Sequence, residues 1–228
     1  MAIALILVLG IIALAYLPQM WVRGVIARHS QDRSDFAGTG GEFARHLLDG
    51  MKLGHVGVEE TKIGDHYDPQ DKVVRLLPQH MKGRSLSAVV IAAHEVGHAM
   101  QDATGYGPLK TRTSLAKLAQ RIEATGSVVM LAAPVLLLVT KSPASLILSY
   151  LAGALILSAT ILLHAVTLPV EFDASFNRAL PVLKAGRYVN ERDMASARHI
   201  LKAAAFTYVA AAAMSLLNVA RWFRVIRF

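Results

Sequence analysis

The chain has 228 residues, 54% of them hydrophobic and 18% charged, with a formal net charge of +8 and no cysteine. Soluble chains carry about 25% charged residues, so the deficit points to a chain solvated in part by lipid. The missing cysteines exclude disulfide frameworks, thiolate metal sites and cysteine nucleophiles together.

In chain order, an uncharged apolar run covers 1–22 and is followed by Arg23, Arg28 and Arg33. Secretory signals place positive charge before the apolar core. The run therefore reads as an uncleaved anchor, although Ala13-Leu14-Ala15 mimics a cleavage site. The polar stretch 23–123 comes next. Phe43, Leu47, Leu48 and Met51 predict a helix from Gly40 to Leu53. Val56–Ile63 and Lys72–Leu77 read as two short strands of a β-hairpin, joined through the turn formers of Gly64-Asp65-His66-Tyr67-Asp68-Pro69. Ser85 or Ser87 caps a helix running to about Thr104, which Gly105 and Gly107-Pro108 terminate.

Three more apolar runs follow, between Glu123 and Lys141, Lys141 and Glu171, and Lys202 and Arg221. About 20 apolar residues cross a bilayer. The first and third runs reach that length, and the second, kinked at Pro134, and the Ala-rich fourth lie near the limit. The expected fold is a mainly α integral membrane protein with about four transmembrane helices and a small α+β domain. Basic residues flank the apolar runs rather than gathering with aromatics on one face, which favours a lipid bilayer over nucleic acid as partner.

The chemistry concentrates in His94-Glu95-Val96-Gly97-His98. Histidines four apart on a helix project from one face and can ligate one ion, while Glu95 on the adjoining flank can serve as general base. Gly97 leaves room beside the metal. The apolar lead Leu86 to Ala93 would bury this helix, and buried imidazoles need partners, which a metal supplies. A catalytic zinc, expected at one per chain, takes three protein ligands and keeps a fourth position open. Glu171 leads as third ligand, with Asp173 as a rival or a histidine-orienting group and His164 as a weaker rival. Lys72–Leu77 is placed to receive substrate as an added strand, a mode that tolerates varied sequences. His66, Tyr67, Arg178, Tyr188 and His199 are candidate donors to an oxyanion.

The strings Asp65-His66-Tyr67-Asp68-Pro69, Lys72-Val73-Val74-Arg75-Leu76, Ala92 to Gln101 and Leu168 to Ser175 resemble the bacterial neutral zinc metallopeptidases of YugP type, over nearly the whole chain. The resemblance implies an inner-membrane protein with His94, His98 and Glu171 as zinc ligands and Glu95 as catalytic base. The segment Glu171-Phe172-Asp173-Ala174-Ser175 is also similar to the Glu-x-x-Ala-Asp motif of HtpX-type and prenyl-protein membrane proteases. This chain has Ser175 where those have Asp, so that role falls to Asp173 or is absent.

The organisation expected is an anchor (1–22), a zincin-like catalytic domain (23–123), two transmembrane helices (124–170), a third-ligand segment (171–202), and an apolar helix with a basic tail (203–228). The excess of Lys and Arg in the main polar stretch places the active site on the cytoplasmic side of a multi-pass protein. The function expected is zinc-dependent hydrolysis of membrane or membrane-proximal proteins or peptides. A zinc-binding scaffold without proteolysis and a transporter are the alternatives. The sequence specifies no oligomeric state.

Overall fold

The computed structural model describes residues 2–142 and 144–225. It is mostly helical with one small sheet, and it divides into two units. One unit joins Met20–Lys110 to Leu168–Thr207 and carries the motif of interest. The other contains Thr111–Thr167 with the outer parts of the first and last helices.

In the first unit, the end of α1 (Ala2–Arg28) contributes Val22 and Val25 to the core. Helix α2 (Gly40–Gly50) opens with a capping box, in which Thr39 N–H donates to Glu42 (2.7 Å) and Glu42 N–H to the Thr39 hydroxyl (3.2 Å). Its buried stripe Ala44, Leu47 and Leu48 has helical spacing. A Cβ on Gly40 would lie 2.3 Å from the His80 carbonyl oxygen and 2.8 Å from that of Ala88, so only glycine lets α2 begin this close to its neighbours.

The sheet differs from the expected hairpin. Strands β1 (Gly57–Glu60), β2 (His66–Asp68) and β3 (Val73–Leu76) are ordered β1-β3-β2. β1 runs parallel to β3 with Gly57 opposite Val73, and β2 runs antiparallel with Tyr67 opposite Val74. The stretch between the two expected strands is therefore itself a strand, and the hairpin is β2–β3. Its flanking turn formers hid it: Asp65 accepts from Leu77 N–H (2.8 Å) and the His80 ring (2.8 Å), fastening the loop so that His66 to Asp68 can pair. The apolar run Val73-Val74 with Leu76 is buried because β3 lies in the middle. Lys72–Leu77 thus has both edges occupied and cannot accept an added strand.

Helix α3 (Pro78–Met81) leads into α4 (Leu86–Ala103). Ser85 is the cap, accepting from Ala88 N–H at 3.1 Å, whereas the Ser87 hydroxyl donates to the Ile26 carbonyl (2.7 Å) and ties α4 to α1. Nearly every residue of α4 is buried, which makes it the axis of this unit.

The second unit contains α5 (Gly107–Thr140) and most of α6 (Ala144–Phe172). α6 continues through a π-helical segment, Asp173–Ala179, into α7 (Leu180–Ala185). Leu180 N–H donates to the Ser175 carbonyl, five residues back, and Pro181 has no N–H to restore the α pattern. A short 3₁₀ turn, Glu191–Asp193, precedes α8 (Met194–Val225).

The expectation of about four transmembrane helices is overturned. Among the described residues one helix, Leu151–Ala185, is long and apolar enough to cross a membrane. The ends of two apolar runs have a second use that composition does not reveal: Val22 of α1 and Ala203 and Ala204 of α8 pack in the protein core, beside Val25, Ala197, Ile200 and Leu201 just outside the runs. The first half of α5 carries Lys110, Arg112, Lys117, Arg121 and Glu123. Arg227 of the basic tail and Pro143 of the linker lie outside the described residues.

Candidate metal centre

Helix α4 sets His94 and His98 one turn apart, with ring centroids separated by 4.8 Å. The end of α6 brings Glu171 against them. His94 Nε2 and His98 Nε2 each lie 3.2 Å from the same oxygen, Glu171 Oε2. All three residues are buried, at 3%, 4% and 1% exposure. They form a group able to hold a metal, with one ligand atom from each residue and all of these within 4.8 Å of one another.

The spacing suits zinc. Ligand atoms about 2.0–2.1 Å from a tetrahedral zinc stand roughly 3.3 Å apart. Two neutral imidazoles and one carboxylate match the donor set of catalytic zinc sites.

Glu95 follows His94 on α4 and is buried, but it is not a member of the cluster. Asp173 is not a member either. It accepts from Arg178 Nε (2.7 Å), Gln101 Nε2 (2.9 Å) and Asn177 Nδ2 (3.0 Å). His164 belongs to the other unit and is outside the cluster.

Two side chains given no role by the sequence touch the histidines from behind. His98 Nδ1 is 2.9 Å from Gln101 Oε1, and His94 Nδ1 is 3.0 Å from the Ser175 hydroxyl. Ser175, where the wider pattern has Asp, therefore contacts a ligand-type histidine itself, and Asp173 acts through Gln101. Gln101 lies three residues beyond His98 on the same helix face, the one signal that pointed to it. Gly97 also has a different use from the one expected. A Cβ there would stand 2.7 Å from the Ala174 carbonyl oxygen, so the glycine lets the π segment cross α4 and carry Glu171 to the histidines.

The oxyanion candidates have other hydrogen bonds or packing contacts. Tyr67 donates to Asp102 (2.6 Å), which also receives the Lys72 ammonium. Burial and then this bond hold the Tyr67 phenol far above its ordinary pKa. Burial alone would raise Asp102, but the Lys72 and Tyr67 bonds outweigh it and leave the carboxyl below its usual range. His66 Nδ1 donates to the Gly64 carbonyl (2.8 Å), Arg178 pairs with Asp173, Tyr188 pairs with His46 (2.9 Å), and His199 packs on Trp21.

The chain matches the family described as "Putative neutral zinc metallopeptidase" over residues 4–227. "Putative membrane protease YugP" of Bacillus subtilis is 35% identical over 218 residues, covering 95% of this chain and 93% of that protein. No solved structure matches the chain. With the family match spanning almost every residue and a relative of this identity at nearly full length, the chain belongs to the neutral zinc metallopeptidase family.

Proposed function

We propose that the protein is a zinc-dependent peptidase in which His94, His98 and Glu171 hold the ion and Glu95 is the general base. The observation that carries this reading is the approach of two imidazole Nε2 atoms to one Glu171 oxygen at 3.2 Å each. A bound zinc ion supplies a polarised scissile carbonyl and a water whose pKa falls to about 7. Glu95, buried on the helix that carries both histidines, takes the proton from the attacking water and delivers it to the departing amine nitrogen. The surrounding apolar residues of α4 exclude bulk water, so this proton transfer occurs in a low-dielectric setting.

Substrate lies as an added strand along an edge strand, β1 or β2, rather than along β3, because β1 and β2 each have one sheet neighbour and β3 has two. Exposed Leu151, Leu155 and Leu162 along α6, with Glu171 at the end of the same helix, favour membrane or membrane-proximal proteins as substrates. Lys and Arg in the stretch 23–123 favour the cytoplasmic face of the bacterial inner membrane.

Glu95→Gln tests the mechanism. The variant retains parental zinc while peptide hydrolysis falls by roughly 10²–10⁴-fold. Equal hydrolysis by parent and variant removes Glu95 from the chemistry. Zinc binding by a parent that cleaves no peptide would favour the non-proteolytic scaffold.

A further inference from the structure

We infer that Gln101 is the positioning residue that couples the two ligand-bearing segments, fixing the tautomer of His98 and the placement of Glu171 with one buried amide. The inference rests on the zinc reading above and extends it to a residue outside the ligand set.

The hydrogen-bond polarity follows from the partners. Gln101 Nε2 lies 2.8 Å from the Val170 carbonyl oxygen and 2.9 Å from Asp173 Oδ2. A carbonyl accepts only, and Asp173 already receives Arg178 and Asn177, so both neighbours require the amide nitrogen. The amide orientation is therefore determined, and Oε1 is the atom that faces His98 Nδ1 at 2.9 Å. An amide oxygen accepts, so Nδ1 carries a hydrogen, and in the neutral ring Nε2 then keeps its lone pair toward Glu171. Ser175 does the same for His94: its one hydrogen goes to the Leu201 carbonyl (3.1 Å), which leaves the oxygen to accept from Nδ1 (3.0 Å). Two imidazole lone pairs and an ionised carboxylate then converge with no hydrogen between them, an arrangement that a cation stabilises.

Gln101 differs from Ser175 in what else it holds. Val170 and Asp173 bracket Glu171, so the bonds of one amide set both the ring of one ligand and the backbone that presents another. These contacts join positions 69 and 72 residues apart, and Gln101 is fully buried. The continuation Gln101–Asp173–Arg178 extends the clamp into the π segment.

The test is zinc affinity of the full chain by chelator competition, read beside the melting temperature of the metal-free protein. Gln101→Leu removes the acceptor and both donors, and zinc affinity is expected to fall by about 10–100-fold. Gln101→Glu keeps an acceptor for His98 but sets a carboxylate against Val170 and Asp173, so it also weakens binding. Combining it with Asp173→Asn relieves the carboxylate–carboxylate contact but leaves an acceptor facing the Val170 carbonyl, so affinity recovers in part. Parental affinity in Gln101→Leu overturns the inference. So does a loss that follows the metal-free melting temperature and is not recovered in the double variant. A parent that binds no zinc overturns the peptidase reading as well, which distinguishes the two failures.

Discussion

Two apolar stretches of this chain look alike in composition and have opposite surroundings. In α4 the run Leu86 to Ala93 packs among α2, α3, the π segment and the sheet, and its larger apolar side chains belong to one core cluster. In α6, Leu151, Leu155 and Leu162 remain 63%, 58% and 54% exposed. Apolar sequence states that a segment avoids water, but not whether protein or lipid replaces it. The polar residues separate the two cases. On α4 His94, His98 and Gln101 have named partners from another segment, whereas Ser158, Thr160 and Thr167 on α6 bond back to their own helix. A buried helix can hold a site because other elements satisfy its polar groups.

The contrast can be broken most sharply at Gly97. Glycine to alanine inside a helix ordinarily stabilises by up to about 1 kcal/mol. At Gly97 the added methyl meets the Ala174 carbonyl, so Gly97→Ala is expected to destabilise by about 1–3 kcal/mol in denaturant unfolding. It should also weaken zinc binding by separating Glu171 from the histidines. A stabilised variant would mean that α4 and the π segment do not cross this closely.

A smaller effect is expected where the sheet meets α4. Asp102→Asn removes the charged acceptor of Tyr67 and Lys72, costing about 1 kcal/mol at pH 7. Because the folded carboxyl is held below its ordinary pKa, its contribution is complete above the unfolded value of about 3.9 and disappears as pH falls through the folded one. Parent and variant should therefore converge in stability progressively as the pH is lowered below about 3.9. A difference independent of pH would assign the loss to packing. The smallest effect belongs to α6: Leu151→Ser with Leu155→Ser should change unfolding in detergent by less than about 0.5 kcal/mol. The same pair should reduce co-flotation with phospholipid vesicles. A large stability loss would place these side chains in a protein core.

Legibility from sequence followed the range of the interaction. The Ser85 cap, α2 and the spacing of His94, Glu95 and His98 are local, set within a few residues by periodicity and capping. Glu171 was reachable because a carboxylate at the end of an apolar run needs a partner, and the structure brings it to the two histidines. Strand β2 was not readable: its pairing depends on Asp65 fastening the loop to Leu77 and His80 across the sheet. The roles of Gln101 and Ser175 were hidden for the same reason, since their contacts join separate helices. The expected count of membrane helices rested on apolar length alone, whereas one described helix meets the length and composition of a span and Val22, Ala203 and Ala204 at the ends of two runs pack in the protein.

The most direct measurement is zinc content of the purified full chain and of Glu171→Ala under equal chelator control. The parent should carry about one zinc per chain and the variant should lose it. A zinc-free parent, or a variant with parental content, would contradict a centre built from His94, His98 and Glu171.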